Sequence, residues 1–181
     1  MYGLINDSIR GLVQEQAGEE AWERIADRAA PGHRSFAALS YYDDAVTYAL
    51  VAAASEQLGT PADELLRQFG RYWSTRIAPE NYGDYLDATG MQLLEILVGL
   101  DAMHARLQTL FPQLRPPSIE VESDDPGLIT VHYRSGRDGL APFVTGLLEG
   151  LAHLCATPAT VTQTAAREAG ADHDVFAIAL R

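Results

Sequence analysis

Over the first two-thirds of the chain, apolar residues return every three or four positions, the period of a helix packed on one side. Ile5, Ile9, Leu12 and Val13 form the first such face, and Gly18 marks its stop. Trp22, Ile25 and Ala29 form a second, shorter one before Pro31-Gly32 breaks it. An alanine-rich stretch from about Asp43 to Leu58 predicts a third helix, ended by Gly59. Thr60-Pro61-Ala62-Asp63 then offers an N-cap, a proline at the first helical position and an acidic third residue. The helix it opens has a wide apolar face of Leu65, Leu66, Phe69, Tyr72, Trp73 and Ile77. A polar, tyrosine-bearing connector leads to a long helix, about Gly90 to Phe111, closed by Pro112.

Beyond Pro116-Pro117 the period drops to two. Ile119 and Val121 alternate with Glu120 and Glu122, Asp124-Asp125-Pro126-Gly127 turns the chain, and Ile129, Val131 and Tyr133 alternate with Thr130 and His132. That pattern predicts an antiparallel hairpin. A helix from about Ala141 to Leu154 follows, with Leu147, Leu148 and Leu151 on its apolar side. A second hairpin, Ala159 to Ala166 and Val175 to Leu180 around a turn at Gly170, completes the chain. The order predicts an α+β fold of one domain: an N-terminal helical subdomain (about residues 1–60) packed on a C-terminal one (about 61–181) with helices and a four-stranded antiparallel sheet.

Composition narrows the function more than the fold. At 181 residues and 19.7 kDa, with 47% apolar and 21% charged residues, the chain resembles an ordinary folded domain rather than a disordered one. No run approaches the ~18 apolar residues of a membrane helix. Thirteen Lys and Arg against 25 Asp and Glu leave a net charge of −12, which argues against nucleic acid or anionic lipid as partner. The single cysteine, Cys155, allows no internal disulfide, and the opening MYGLINDSIRGL lacks the basic leader and apolar core of a signal peptide. A cytoplasmic protein is expected.

Two constellations could carry chemistry. His104 lies one or two helical turns from Leu97, Leu100, Leu107 and Phe111, so it belongs to the apolar side of the long helix. There it is either a satisfied core histidine or a ligand. As a ligand it suits an iron or haem centre, because a neutral imidazole in an apolar setting keeps a free lone pair. Zinc is disfavoured, since no second His or Cys sits three or four residues away. Tyr133, Ser135 and Arg137 follow at i, i+2 and i+4 on the strand that carries Ile129 and Val131, which places two hydroxyls and a guanidinium on one face. They form either a solvated strand end or an acid-binding triad at the edge of an apolar face. One imidazole and one such triad together describe a haem, with iron at one point and propionates at the other. Asp172-His173-Asp174 resembles metal chemistry but falls in a predicted tight turn, where a solvated role is expected. Cys155 is expected to be buried and inert, with a second ligand or redox-sensitive thiol as the alternative. No nucleophile elbow, phosphate loop or paired-histidine motif occurs, so no catalytic residue is assigned.

His104 in an apolar helix, then Pro116-Pro117, then Tyr133-x-Ser135-x-Arg137, resembles the haem-nitric oxide/oxygen binding (H-NOX) family, which includes the haem domain of the soluble guanylate cyclase β subunit. The likeness extends along the whole chain. Met1-Tyr2-Gly3-Leu4-Ile5 is similar to the family's opening, Phe69-Gly70 to its distal-side helix, and Gly146-Leu147-Leu148-Glu149-Gly150 to the helix after the motif. The resemblance implies haem b (iron protoporphyrin IX) between the two subdomains, with His104 as the proximal iron ligand and Tyr133, Ser135 and Arg137 on the propionates. It further implies that Pro117 presses on the porphyrin, that Ile5 touches it, and that Phe143 and Leu147 line the distal pocket.

Oxygen-binding members of the family carry a distal tyrosine where this chain reads Leu140-Ala141-Pro142-Phe143, with no side-chain donor. Trp73 is either a distal donor through its indole N–H or a core aromatic. The resemblance thus implies a sensor that binds nitric oxide and carbon monoxide and excludes oxygen. In the family, nitric oxide loosens the histidine–iron bond, and the porphyrin relaxes against residues such as Pro117 and Ile5. Because the chain ends at Arg181, the expected reader of that change is a histidine kinase or a cyclic-nucleotide signalling enzyme acting in trans, or a domain removed by truncation. The rivals are an apolar-ligand carrier or scaffold of the same fold without haem, and a haem enzyme, for which no distal acid or base is apparent.

Overall fold

The computed structural model describes the backbone of residues 1–181 and every side chain except that of Asp124. Contacts divide the chain into two compact units, Met1–Phe69 and Gly70–Arg181. The first unit holds α1 (Gly3–Ala17), α2 (Glu19–Ala29), α3 (Asp44–Leu58) and most of α4 (Ala62–Tyr72). Local chemistry sets these helices. Glu19 and Glu20 open α2 and Arg28 lies in its last turn, each facing the helix dipole end of opposite sign. The Asp43 carboxylate caps α3 by accepting from the Ala45 N–H at 2.8 Å, and Gly59, at φ +64°, closes it in the left-handed conformation. Trp22 is fully buried at the centre of the unit, and its indole N–H donates to the Arg34 carbonyl at 2.9 Å.

In the second unit, α4 runs into a π-helical turn (Trp73–Ile77) and then α5 (Ala78–Ala88). The stretch expected as a connector is therefore helical. Pro79 sits in the first turn of α5, where its missing N–H costs nothing, and Tyr82 departs from helical geometry at φ −132°. These breaks hide the helix from a search for regular apolar spacing. The long helix α6 covers Leu93–Leu110; it begins later than its sequence suggests because Gly90 (φ +61°) and Met91 (φ +56°) are both left-handed.

Four strands follow: β1 (Ser118–Asp125), β2 (Leu128–Arg134), β3 (Ala159–Ala165) and β4 (Asp174–Leu180), with α7 (Ala141–Leu154) between the two hairpins. The sheet is antiparallel in the order β1-β2-β4-β3. Ile129, Val131 and Tyr133 alternate inward on β2, Phe176 and Ile178 lie beside them on β4, and Val144, Leu148 and Leu151 of α7 join the same core. A short 3-10 turn, Arg167–Ala169, separates β3 from β4. Among the described residues, no helix is long and apolar enough to cross a membrane.

Packing of α7 depends on glycines. A Cβ on Gly70 would stand 2.1 Å from the Phe143 carbonyl oxygen, and one on Gly150 would stand 2.7 Å from Ser74 Cβ and 3.1 Å from Arg71 Cα. Both contacts bring the end of α4 and the π turn against α7 at backbone distance. Gly150→Val is expected to destabilise the fold by about 2–3 kcal/mol, as overpacking does where the neighbours are main chain and Cβ atoms. Chemical denaturation measures this, and an unchanged midpoint contradicts the close approach.

Candidate functional site

His104 lies on α6, in a half of the helix that is less covered than expected. Leu93, Ile96 and Leu97 are buried at its start, whereas Leu100, Leu107 and Phe111 around the histidine are half-buried. The imidazole itself is half-buried beside the Pro117 carbonyl; its Nδ1 is buried and has no hydrogen-bond partner. Burial holds its pKa below the ordinary histidine range, opposed by the Pro117 carbonyl and by the charge of Asp101. The ring is therefore neutral at physiological pH, with one nitrogen lone pair left over. Asp101 has a second role: its carboxylate accepts from the Ile119 N–H at 2.6 Å, which ties α6 to the start of β1.

Tyr133 is 7% exposed on β2 and stands edge-on to Phe176, with ring centroids 6.5 Å apart. Ser135 and Arg137 do not continue its strand. Pairing of β2 ends at Ser118↔Arg134 on one side and Tyr133↔Asp174 on the other, so the chain beyond has no ladder partner. It turns instead, and Ser135 Oγ accepts from the Arg137 N–H at 3.1 Å. The shared strand face expected from i, i+2, i+4 spacing is thus replaced by a loop that follows a strand end. The loop still brings Arg137 to the proline segment: its Nη1 donates to the Arg115 carbonyl at 2.8 Å. Arg137 is thereby held to the Arg115–Pro117 stretch, next to which His104 lies.

Arg167 is a participant that sequence reasoning missed. Its guanidinium donates to the Ser135 carbonyl at 2.6 Å and the Arg137 carbonyl at 2.8 Å, and pairs with the Asp138 carboxylate. Nothing in its spacing announces this, because its targets are main-chain atoms about thirty positions earlier.

Of the residues expected around a distal pocket, Trp73 opens the π turn, and Phe143 and Leu147 lie half-buried on α7. Ser74 joins these elements: fully buried, its hydroxyl is 2.7 Å from the Leu147 carbonyl and 3.0 Å from that of Gly70. Ile5 belongs to the other unit, half-buried on α1. The solvated turn expected at Asp172-His173-Asp174 is found only at Asp172, whose side chain is exposed in a bend. The His173 side chain is only 16% exposed and shares a 2.8 Å hydrogen bond with His132 of β2, while Asp174 opens β4. Cys155 is half-buried at the end of α7, and burial pushes its thiol pKa up, toward the unreactive form.

Among the described residues, no three His, Cys, Asp or Glu side chains gather closely enough to hold a bare metal ion. A lone neutral imidazole with an unpartnered buried nitrogen fits an iron already held by a macrocycle, which needs one protein ligand. A guanidinium and two hydroxyl-bearing residues beyond it fit the acidic side chains of such a macrocycle. The residues present therefore fit a haem.

Comparison with known proteins agrees. Residues 2–163 match the model of the haem-NO-binding family. Among curated relatives, soluble guanylate cyclase gcy-31 of Caenorhabditis elegans is 29% identical over 151 residues, 83% of this chain and 22% of the relative. Soluble guanylate cyclase 89Db of Drosophila melanogaster is 26% identical over 152 residues, 84% of this chain and 23% of the relative. The chain thus spans less than a quarter of the length of these relatives. Among solved structures, an H-NOX protein from S. oneidensis in the Fe(II)NO ligation state superposes with a TM-score of 0.90 at 22% identity, covering 100% of this chain and 99% of that one. An Fe(II) unliganded H-NOX mutant from K. algicida gives 0.85 at 20% identity, with 100% and 97% covered. The structural likeness establishes the α+β fold, and the family match across nearly the whole chain places this protein in the haem-NO-binding (H-NOX) family of haem-based gas sensors.

Proposed function

We propose that this domain holds haem b through His104 and reports nitric oxide and carbon monoxide, but not oxygen, to a signalling partner. The observation that carries the reading is the His104 imidazole: neutral, half-buried on α6, with Nδ1 unpartnered. When bound, the haem supplies a ferrous iron at which diatomic gases bind. The chain's residues do the rest. His104 would supply the iron-binding nitrogen, with the Pro117 carbonyl beside its ring. Pro117 would press on the macrocycle and Ile5 would touch it. Tyr133, Ser135 and Arg137 hold its carboxylates, and Phe143 and Leu147 line the gas side. Neither of those two offers an N–H or O–H to a ligand that takes on negative charge, so oxygen lacks the donor it needs, while nitric oxide needs none. Trp73 brings the one candidate donor on that side.

The role is sensing rather than catalysis, so the output passes to another protein or domain. The guanylate cyclase relatives support a cyclic-nucleotide signalling enzyme as reader, with a histidine kinase as the other candidate. A gas-induced change at His104 would couple to such a reader only if the reader binds the two states with different affinity.

Absorption spectra of the reduced protein, first unliganded and then with nitric oxide, carbon monoxide and air, test the proposal. The expected result is a Soret band that shifts with the first two gases and forms no stable oxygen spectrum. A stable oxygen spectrum that disappears in Trp73→Phe makes that indole the donor and overturns oxygen exclusion. A protein that takes up no haem is an apolar carrier instead.

A further inference from the structure

We propose that Arg167 is a positioning residue for haem, a strap that sets the path of the loop carrying Ser135 and Arg137; the inference rests on the reading that this loop holds the haem carboxylates. A guanidinium is a rigid planar fork with five N–H donors. Here it spans two main-chain carbonyls that are two residues apart, Ser135 at 2.6 Å and Arg137 at 2.8 Å, and closes on the Asp138 carboxylate. Fixing both carbonyls fixes the intervening backbone at Gly136, which has no side chain to hold it and no strand neighbour beyond Arg134. The Arg167 side chain is 32% exposed, so its pairing with the carboxylate counts for less than the two carbonyl bonds.

The strap is itself anchored. The Arg167 N–H donates to Asp174 Oδ1 at 2.9 Å, and the same oxygen accepts from Gln163 Nε2 at 3.0 Å. Asp174 stands opposite Tyr133 in the β2–β4 register. A closed circuit results, from Tyr133 across the ladder to Asp174, on to Arg167, and back to Ser135 and Arg137. The third expected carboxylate-binding residue is thus bound to the same frame as the first two. Arg167 touches the carriers of the binding groups rather than haem, and its contribution is to hold Arg137 aimed before haem arrives.

The test compares Arg167→Ala, Arg167→Lys and Arg137→Ala with the unaltered protein. The readouts are the rate of haem transfer to excess apomyoglobin, the same rate for haem dimethyl ester, and amide hydrogen exchange at Arg137 in the haem-free protein. Arg167→Ala is expected to speed haem transfer about tenfold, the usual size of an outer-layer loss at a metal site. It should leave transfer of the ester unchanged, because the ester has no carboxylate for the loop to hold, and should speed exchange at the Arg137 amide. Arg167→Lys keeps the charge but not the fork, and should behave as the alanine variant does. Equal acceleration with haem and ester, or full rescue by lysine, overturns the positioning role. So does acceleration in Arg137→Ala with none in Arg167→Ala. If neither arginine variant changes haem transfer, the carboxylate reading fails and the strap's purpose fails with it.

Discussion

His104→Gly is expected to abolish the spectrum of reduced, histidine-ligated haem, and free imidazole is expected to restore it. No other histidine is placed to substitute. His33 is stacked on Phe36, 5.7 Å away in the first unit, and His132 and His173 are hydrogen-bonded to each other. His153 is exposed near the end of α7. His132 Nε2 is likewise buried without a hydrogen-bond partner, but that ring is tied through its Nδ1 to His173. Among the described residues, His104 alone pairs a place on the half-covered stretch of α6 with an unpartnered buried Nδ1. Glycine inside a helix costs about 1 kcal/mol relative to alanine. Some loss of stability will therefore accompany the change, which is why imidazole rescue, and not haem loss alone, is the decisive reading. An unchanged ferrous spectrum in the variant without imidazole removes His104 from the site.

Arg137→Ala is expected to release haem about tenfold faster than Ser135→Ala. A hydrogen bond to a charged group is worth about 1.5–3 kcal/mol and a neutral one about 0.5–1.5 kcal/mol. The gap of about 1.25 kcal/mol between their midpoints is close to one decade in rate. The structure adds a term to each side. Arg137→Ala also gives up the bond to the Arg115 carbonyl, and Ser135→Ala also removes the acceptor for the Arg137 N–H that shapes the turn. With a net charge of −12, the protein has little positive field with which to hold an unpaired carboxylate. Haem transfer to apomyoglobin measures both variants, and equal rates would mean that the carboxylates are held elsewhere.

Much of the fold is legible from periodicity because its elements bury one side. The faces of α1, α2 and α7 and the alternation on β2 follow directly from the spacing of their apolar residues. Helix α5 is not legible: Pro79, the distorted Tyr82 and Gly83 interrupt the repeat, and the π turn before it shifts the phase of every following position. The start of α6 is misplaced for a related reason, since a left-handed Met91 carries no sequence signal. At the site, the identities of Tyr133, Ser135 and Arg137 stand out in the sequence, but the course of their backbone does not. A strand continues only while a neighbour pairs with it, and the ends of β1 and β4 are not local information. The packing of His173 is hidden from the sequence for the same reason, since it comes from His132, 41 residues away.

The prolines at 116 and 117 have one further consequence, for what an observer of this domain can see. A proline has no N–H, so the part of the site beside His104 gives no signal in amide-detected magnetic resonance and no hydrogen-exchange readout. Any displacement there must be read from its neighbours: the imidazole of His104, the guanidinium of Arg137, and the amides that follow, Ser118 and then Ile119, whose N–H is held by Asp101. Labelled histidine and arginine side chains are the natural reporters there, and backbone maps of the domain will show a gap at the two prolines.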